Sequence, residues 1–454
     1  MKHDGVLSPK SEPLAARKAS RAWKGSGWLT FLLAALVLFP VGLLWALRSP
    51  GRIRLPSKVP VYPKSDKTAF QRLPIGASAT NRATRITNVQ ILDFDKDGLN
   101  DILVCDGARS SVILYRQTSR GLFEERVLGS NLQVPAHAAV VDINQDGKPD
   151  VAVAVLGRIF PSDELVGSVV VLENKGDWHF VPHVILDDVR RVADVQPGDF
   201  NGDGKVDLAV AVFGYARGEV LWLENKGNWH FEQHQLLSKP GIIHVPVGDL
   251  DGDGRPDIAA VVSQDEEEVW AFENLGKGQF KSHQLCFNHN FDVGSAGLVM
   301  ADLNKDGRLD LLLPQGDNLE DPYTWPQPYH GCVWLENLGN WQFRPKQIAN
   351  FGGTYAAAVG DIDGDGDLDV VLISMTNDWG DLSHPSVVWL ENDGHQNFTP
   401  HTVDSFPAGL VTVACGDLNG DGEADIVAGG LSLPPNIEYR VQRVTAWLSQ
   451  PSRK

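Results

Sequence analysis

The stretch Asp361-Ile362-Asp363-Gly364-Asp365-Gly366-Asp367-Leu368-Asp369 constrains the fold most, because it recurs in recognisable form seven times. Copies begin at Asp93, Asp142, Asp199, Asp249, Asp302, Asp361 and Asp417, and each reads Asp-x-Asp/Asn-x-Asp-Gly-x-x-Asp. Successive copies start 49, 57, 50, 53, 59 and 56 residues apart, a spacing that belongs to blades and other arrays. Each period carries four apolar runs of strand length, rich in β-branched residues; in the second unit they are residues 138–141, 151–156, 168–172 and 179–186. With 45 glycines and 27 prolines, the chain suits many turns better than long helices. The expectation is an all-β fold, a seven-bladed β-propeller over residues 69–450.

A second punctuation falls between the third and fourth runs: Glu173-Asn174, Glu224-Asn225, Glu273-Asn274, Glu336-Asn337 and Glu391-Asn392, each with glycine two residues later. Asn and Gly tolerate the left-handed conformations of a hairpin turn, so these glutamates read as turn residues. Phe180, Phe231, Phe280, Phe343 and Phe398 follow at nearly constant distance, joined by Trp178, Trp229 and Trp341, and read as packing between neighbouring sheets. The seventh unit stops after three strands, the last at residues 443–448. Its missing strand is expected at the other end of the domain, over residues 70–75, pairing beside 443–448 so that the ring closes and both free edges disappear.

The loops themselves are candidate calcium sites. A hard cation needs several oxygens converging from a short segment, with glycine where the backbone turns sharply. In the sixth loop the expected side-chain ligands are Asp361, Asp363, Asp365 and Asp369, with the carbonyl of Asp367; the first offers Asp93, Asp95, Asp97 and Asp101, and the fourth Asp249, Asp251, Asp253 and Asp257. The other four carry asparagine at position 3: Asp142, Asn144, Asp146 and Asp150; Asp199, Asn201, Asp203 and Asp207; Asp302, Asn304, Asp306 and Asp310; Asp417, Asn419, Asp421 and Asp425. An amide oxygen brings no charge, so these four are expected to bind more weakly than the three four-carboxylate loops. No glutamate stands at position 12 and no helices flank the loops, which excludes EF-hands. Up to seven Ca²⁺ are expected, with dissociation constants on the order of 10⁻⁴ to 10⁻³ M, as in extracellular modules.

This pattern resembles the FG-GAP/VCBS repeat family, whose propeller is similar to the head of integrin α subunits. The resemblance covers roughly residues 69–450 and implies seven blades with calcium loops between the first and second strands. Literal Phe-Gly and Gly-Ala-Pro signatures are not kept, although Phe351-Gly352 before Tyr355 comes close. That departure weakens any expectation of integrin-like ligand binding.

The net charge of −18 follows from the loops, whose positions 1, 3, 5 and 9 hold 24 carboxylates. No basic stripe interleaved with aromatics is present, so nucleic acid is not an expected partner. Cys105, Cys286, Cys332 and Cys415 are irregularly spaced and read as free thiols, with one disulfide left open. Residues 1–24 form a basic tail, and residues 25–47 are uncharged, with Trp28 and Trp45 near the ends of the apolar part. About 20 apolar residues match a bilayer core, so a single-pass N-terminal transmembrane helix is expected, with a cleaved signal peptide as the competing reading. Calcium loops place the propeller on the extracytoplasmic side, periplasmic or extracellular. Residues 48–68, with Pro50, Pro56, Pro60 and Pro63, read as an extended tether.

The face opposite the metal loops carries the length variation. Its longest insertions contain Tyr323, Trp325 and Tyr329 in the fifth unit and Asp378, Trp379 and Asp381 in the sixth. Aromatic faces beside carboxylates suit a protein or carbohydrate ligand. No nucleophile elbow, zinc-protease helix or phosphate loop occurs. The function expected is an extracytoplasmic binding, adhesion or scaffold module without catalysis, and the alternative is a polysaccharide-acting enzyme with its cleft on that second face. His137 and His244 read as satisfied structural histidines.

Overall fold

The computed structural model describes residues 61–77, 84–264, 266–317, 326–377, 381–432 and 441–451. The basic tail, the expected membrane helix and the tether up to residue 60 lie outside the described residues. No helix among the described residues is long and apolar enough to cross a membrane.

The strands form seven antiparallel sheets; in six of them spatial order follows chain order, and the seventh takes its outermost strand from the start of the domain. Blade two is Pro135–Val141, Asp150–Val155, Gly167–Asn174 and Phe180–Val189. These strands extend the apolar runs by up to a few residues, because the carboxylates and amides at loop ends take part in the pairing. The second strand of every blade begins on position 9 of its loop, from Asp101 to Asp425. Burial peaks in the two middle strands of a blade. Every residue of Asp150–Val155 is buried and none of Phe180–Val189 is, so middle strands read as continuous apolar runs and outer ones do not. First strands of adjacent blades abut. In blade four the first strand is broken into Ile242–His244 and Val247–Gly248 around Pro246, which lacks a donor for the ladder.

Seven apolar clusters hold the ring, one at each junction between blades. Leu103 and Leu114 of blade one meet Val151 and Val153 of blade two. At the closing junction Val427 and Val444 of blade seven, with Ile75, meet Ile86 and Ile102 of blade one. Each such side chain contributes roughly 1.5–3 kcal/mol through its burial. Aromatic residues cross the same junctions: Phe180 and Trp178 of blade two lie 6.3 and 6.0 Å from Phe94 of blade one. Trp229 stacks on His183 at 4.3 Å and Trp341 on His283 at 4.5 Å.

The incomplete seventh unit is completed by Thr68–Ile75, antiparallel to Val444–Pro451 with Phe70 opposite Ser449 and Ile75 opposite Val444. Edges do not vanish on closure. Thr68–Ile75 becomes the outermost strand of blade seven, and every blade keeps such a peripheral edge. The last part of the tether is not a free spacer either. Tyr62 Oη donates to the Asn350 carbonyl at 2.6 Å, and Thr402 donates to the carbonyls of Tyr62 and Pro63 at 2.7 and 2.9 Å. All four cysteines are free thiols.

Candidate metal centres

Each loop is folded by its own first aspartate. One oxygen of that residue accepts the N–H of the position-6 glycine at 2.8–3.0 Å in all seven loops. That glycine has φ between 83° and 94°, the left-handed region that a side chain disfavours. Position 4 is left-handed too, even where Lys96, Gln145 and Lys305 occupy it.

Position 9 is a staple as much as a candidate ligand. One of its oxygens accepts the N–H of position 2, as in Leu250 to Asp257 at 2.9 Å. The other accepts a backbone N–H at the end of the third strand, from Gln117, Asn174, Asn225, Asn274, Asn337, Asn392 or Ser449, at 2.7–2.8 Å. These carboxylates are buried to within 1%. Burial pushes their carboxyls up, to about 6 in Asp101, Asp207, Asp310 and Asp425 and to about 7 in Asp257 and Asp369, although the backbone N–H donors pull the other way. A nearby cation would relieve that penalty.

The residues fit a hard cation. Ligand oxygens of Asp93, Asp95 and Asp97, of Asp249, Asp251 and Asp257, and of Asp361, Asp363 and Asp365 converge within 4.8 Å in each group. Asp363 Oδ1 is buried with no hydrogen-bond partner. Burial, then Asp365, raise the Asp363 carboxyl; in Asp251 burial outweighs a backbone hydrogen bond and the neighbouring Asp253 and Asp249 add to it. In the asparagine loops Asn144 and Asn201 each accept the position-5 N–H, at 2.9 and 2.8 Å.

The Glu-Asn turns lie beside these loops. Asn174 Nδ2 donates to the Pro149 carbonyl at 3.1 Å while its Oδ1 accepts from Gly176 N at 2.9 Å, which fixes the hairpin to the loop. The glutamates do more than turn the chain. Glu173 and Glu224 accept from the position-3 amides of Asn144 and Asn201, both at 3.1 Å. Their second oxygens meet His183 and His234 at 2.8 and 2.9 Å, and Glu273 and Glu391 meet His283 and His401 in the same way. The signal was present in the sequence as histidine ten residues after glutamate in four units.

A second cluster joins three blades near the axis. Asp194 is buried, with His137 Nδ1 at 3.0 Å on one oxygen and His244 Nδ1 at 3.5 Å on the other. Gln196 Nε2 and Val245 N also donate to it, at 3.1 and 2.9 Å. Burial opposes its ionisation, yet the two imidazoles hold its carboxyl well below the usual range; burial likewise pulls His137 down, but Asp194 holds it above its ordinary value. All three residues stand five positions before the first aspartate of their loops, and that equivalence is what brings them together. Both histidines face this carboxylate, but His137 Nδ1 is buried without a well-formed hydrogen bond, so the expectation of a satisfied structural histidine does not hold there.

On the second face Tyr323, Trp325, Asp378 and Trp379 lie outside the described residues. Tyr329 packs edge-on against His330 at 5.4 Å, and Asp381 accepts from Ser383 N and Oγ at 2.9 and 2.7 Å. The Asp381 carboxylate therefore folds its own loop.

With the fold and loops established, the comparisons agree on class. The model of the FG-GAP-like repeat matches residues 93–153, 159–210, 199–260, 249–313 and 316–372. These spans cover more than half of the chain, which belongs to this family. The crystal structure of BBS1N in complex with ARL6DN, soaked with lead, is similar with a TM-score of 0.50 and 11% identity, over 84% of this chain and 97% of that one. The rhamnogalacturonan lyase YesW gives a TM-score of 0.41 and 14% identity, over 84% and 75%. At such identity the first likeness is one of fold alone and the second carries no argument. No curated protein sequence matches.

Proposed function

We propose that the protein is a membrane-anchored, calcium-stabilised propeller that presents a binding surface on the extracytoplasmic side. The observation that carries the proposal is the convergence of carboxylate oxygens in loops one, four and six, where Asp95 Oδ1 and Asp363 Oδ1 are buried without a hydrogen-bond partner, which leaves negative charge in need of a cation. The oxygens of these aspartates and asparagines would hold calcium, whose positive charge would offset theirs, and the backbone hydrogen bonds of positions 1 and 9 fix where those oxygens stand. The apolar segment 25–47 supports the anchor, and deleting it should release the protein from carbonate-washed membranes.

Calorimetry tests the calcium reading. With free calcium at about 100 times the dissociation constant, each filled site adds roughly 2.7 kcal/mol. A chelator should therefore lower the melting temperature by many degrees, and an unchanged melting temperature sinks the reading. A glycan and peptide array probes the surface. Binding without turnover supports a module, whereas depolymerisation abolished by Asp381→Ala replaces it with an enzyme.

A further inference from the structure

We infer that the seven loops are not equivalent metal sites: Arg116 serves as the built-in cation of loop one, which takes no calcium, while loops four and six take it first. The inference rests on the calcium reading above and reverses part of the ranking by carboxylate count.

The third strands align through a common hydrogen bond, since the N–H of Gln117, Asn174, Asn225, Asn274, Asn337, Asn392 and Ser449 each reaches the position-9 carboxylate. The residue just before each of these occupies one equivalent place beside position 3. It is Glu173, Glu224, Glu273, Glu336 and Glu391 in blades two to six, Leu448 in blade seven and Arg116 in blade one. In two of the four asparagine loops, those of blades two and three, the position-3 Nδ2 donates to the glutamate and its Oδ1 turns into the loop. That pair is neutral at position 3 and already satisfied.

Blades four and six differ, because Asp251 and Asp363 face the side of Glu273 and Glu391. Those glutamates add negative charge beside the two carboxylates. The glutamates themselves pair outward, Glu273 with Lys281 and His283 and Glu391 with Lys67 and His401. No cation contacts Asp251 or Asp363 among the described ion pairs; Asp363 Oδ1 is buried without a hydrogen-bond partner, as is Asp95 Oδ1 in loop one, so the difference between the loops lies in what meets the other oxygens. A divalent cation is the natural complement to these two sites.

In blade one the same place holds a positive charge. Arg116 Nε meets Asp95 Oδ2 at 2.5 Å and its Nη2 meets Asp97 Oδ2 at 2.8 Å, so one guanidinium spans positions 3 and 5. Loops two to five also pair position 5 with a lysine or arginine, at position 7, but there the cation leaves position 3 alone. Only in loop one, among the described loops, are both carboxylates shared with a fixed cation. Calcium bound to these oxygens would lie a few ångströms from the guanidinium and be repelled by it. The fork geometry of arginine suits two carboxylates, and its charge does not titrate away.

Equilibrium dialysis of the full chain against calcium, counting ions per chain, tests the inference. Asp95→Asn should leave the count unchanged, while Asp251→Asn and Asp363→Asn should each weaken a tight site by about tenfold or more. Arg116→Glu, which installs the residue of blades two to six, should add one ion per chain. Loss of an ion in Asp95→Asn, or seven ions on the unaltered chain, overturns the inference even if Arg116→Glu fails to fold. A native chain that binds no calcium removes the calcium reading beneath it, an outcome distinct from the other two.

Discussion

At the scale of single residues, charge placement decides more than charge count. Asp194 is the clearest case, since one buried carboxylate is shared by His137 and His244 from the blades on either side. Breaking a buried pair by removing one partner costs about 3–5 kcal/mol, so Asp194→Ala should lower the stability read from urea unfolding by about that amount. The pH dependence has a definite sign. A histidine held above its ordinary value contributes stability below about pH 6.5 and loses it as pH rises through the raised value. The native protein should lose stability over that rise, and Asp194→Ala should show a flatter curve. A flat curve in the native protein would contradict the pairing. None of this was legible from composition, because the partners stand 57 and 50 residues apart in chain order. Their shared place five residues before each loop was the only available sign.

At the scale of elements, the Glu-Asn turn and the metal loop act together rather than separately. Sequence periodicity located both, and the hairpin role of asparagine holds in the hydrogen bonds of Asn174, Asn225 and Asn274 to the loop carbonyls. The contact of glutamate with position 3 was passed over, because the two stand 29 residues apart in blade two and 23 in blade three. The closing strand is a second element whose worth can be measured. Ile75 is 3% exposed within the junction of blades seven and one. Ile75→Ala should cost about 2–5 kcal/mol and open residues 61–77 to proteolysis. Val61→Ala, at 55% exposure, should stay within about 0.5 kcal/mol. Equal effects of the two substitutions would mean that the strand does not hold the ring.

At the scale of the whole molecule, the buried position-9 carboxylates share one response to acid, and calcium bound beside them would oppose it. Several carry carboxyls raised to about 6 or 7, above their unfolded values. A raised carboxyl means that the folded state binds protons more readily, so stability from this source is present at low pH and is lost as pH rises through 6 to 7. The chelated protein should therefore melt at lower temperature at pH 8 than at pH 5.5. Calcium needs deprotonated ligands, and at saturating calcium the difference should shrink or reverse. Melting curves across that range, with and without chelator, give the answer; a chelated protein that melts higher at pH 8 would contradict it.

By itself the sequence determined the number of blades and the place of each acidic loop, because a repeat of nearly constant period can bury its apolar faces only against copies of itself. Alternating runs, glycine at position 6 and Glu-Asn turns are local signals, and local conformational preferences act on them directly. What the tertiary structure decided is which side chains from different strands and blades share a space. Arg116 on Asp95 and Asp97, glutamate beside position 3, and Asp194 between two histidines arise from through-space proximity, on which electrostatic energy depends and of which chain distance gives no measure. The loops looked alike as text; their neighbours make them different.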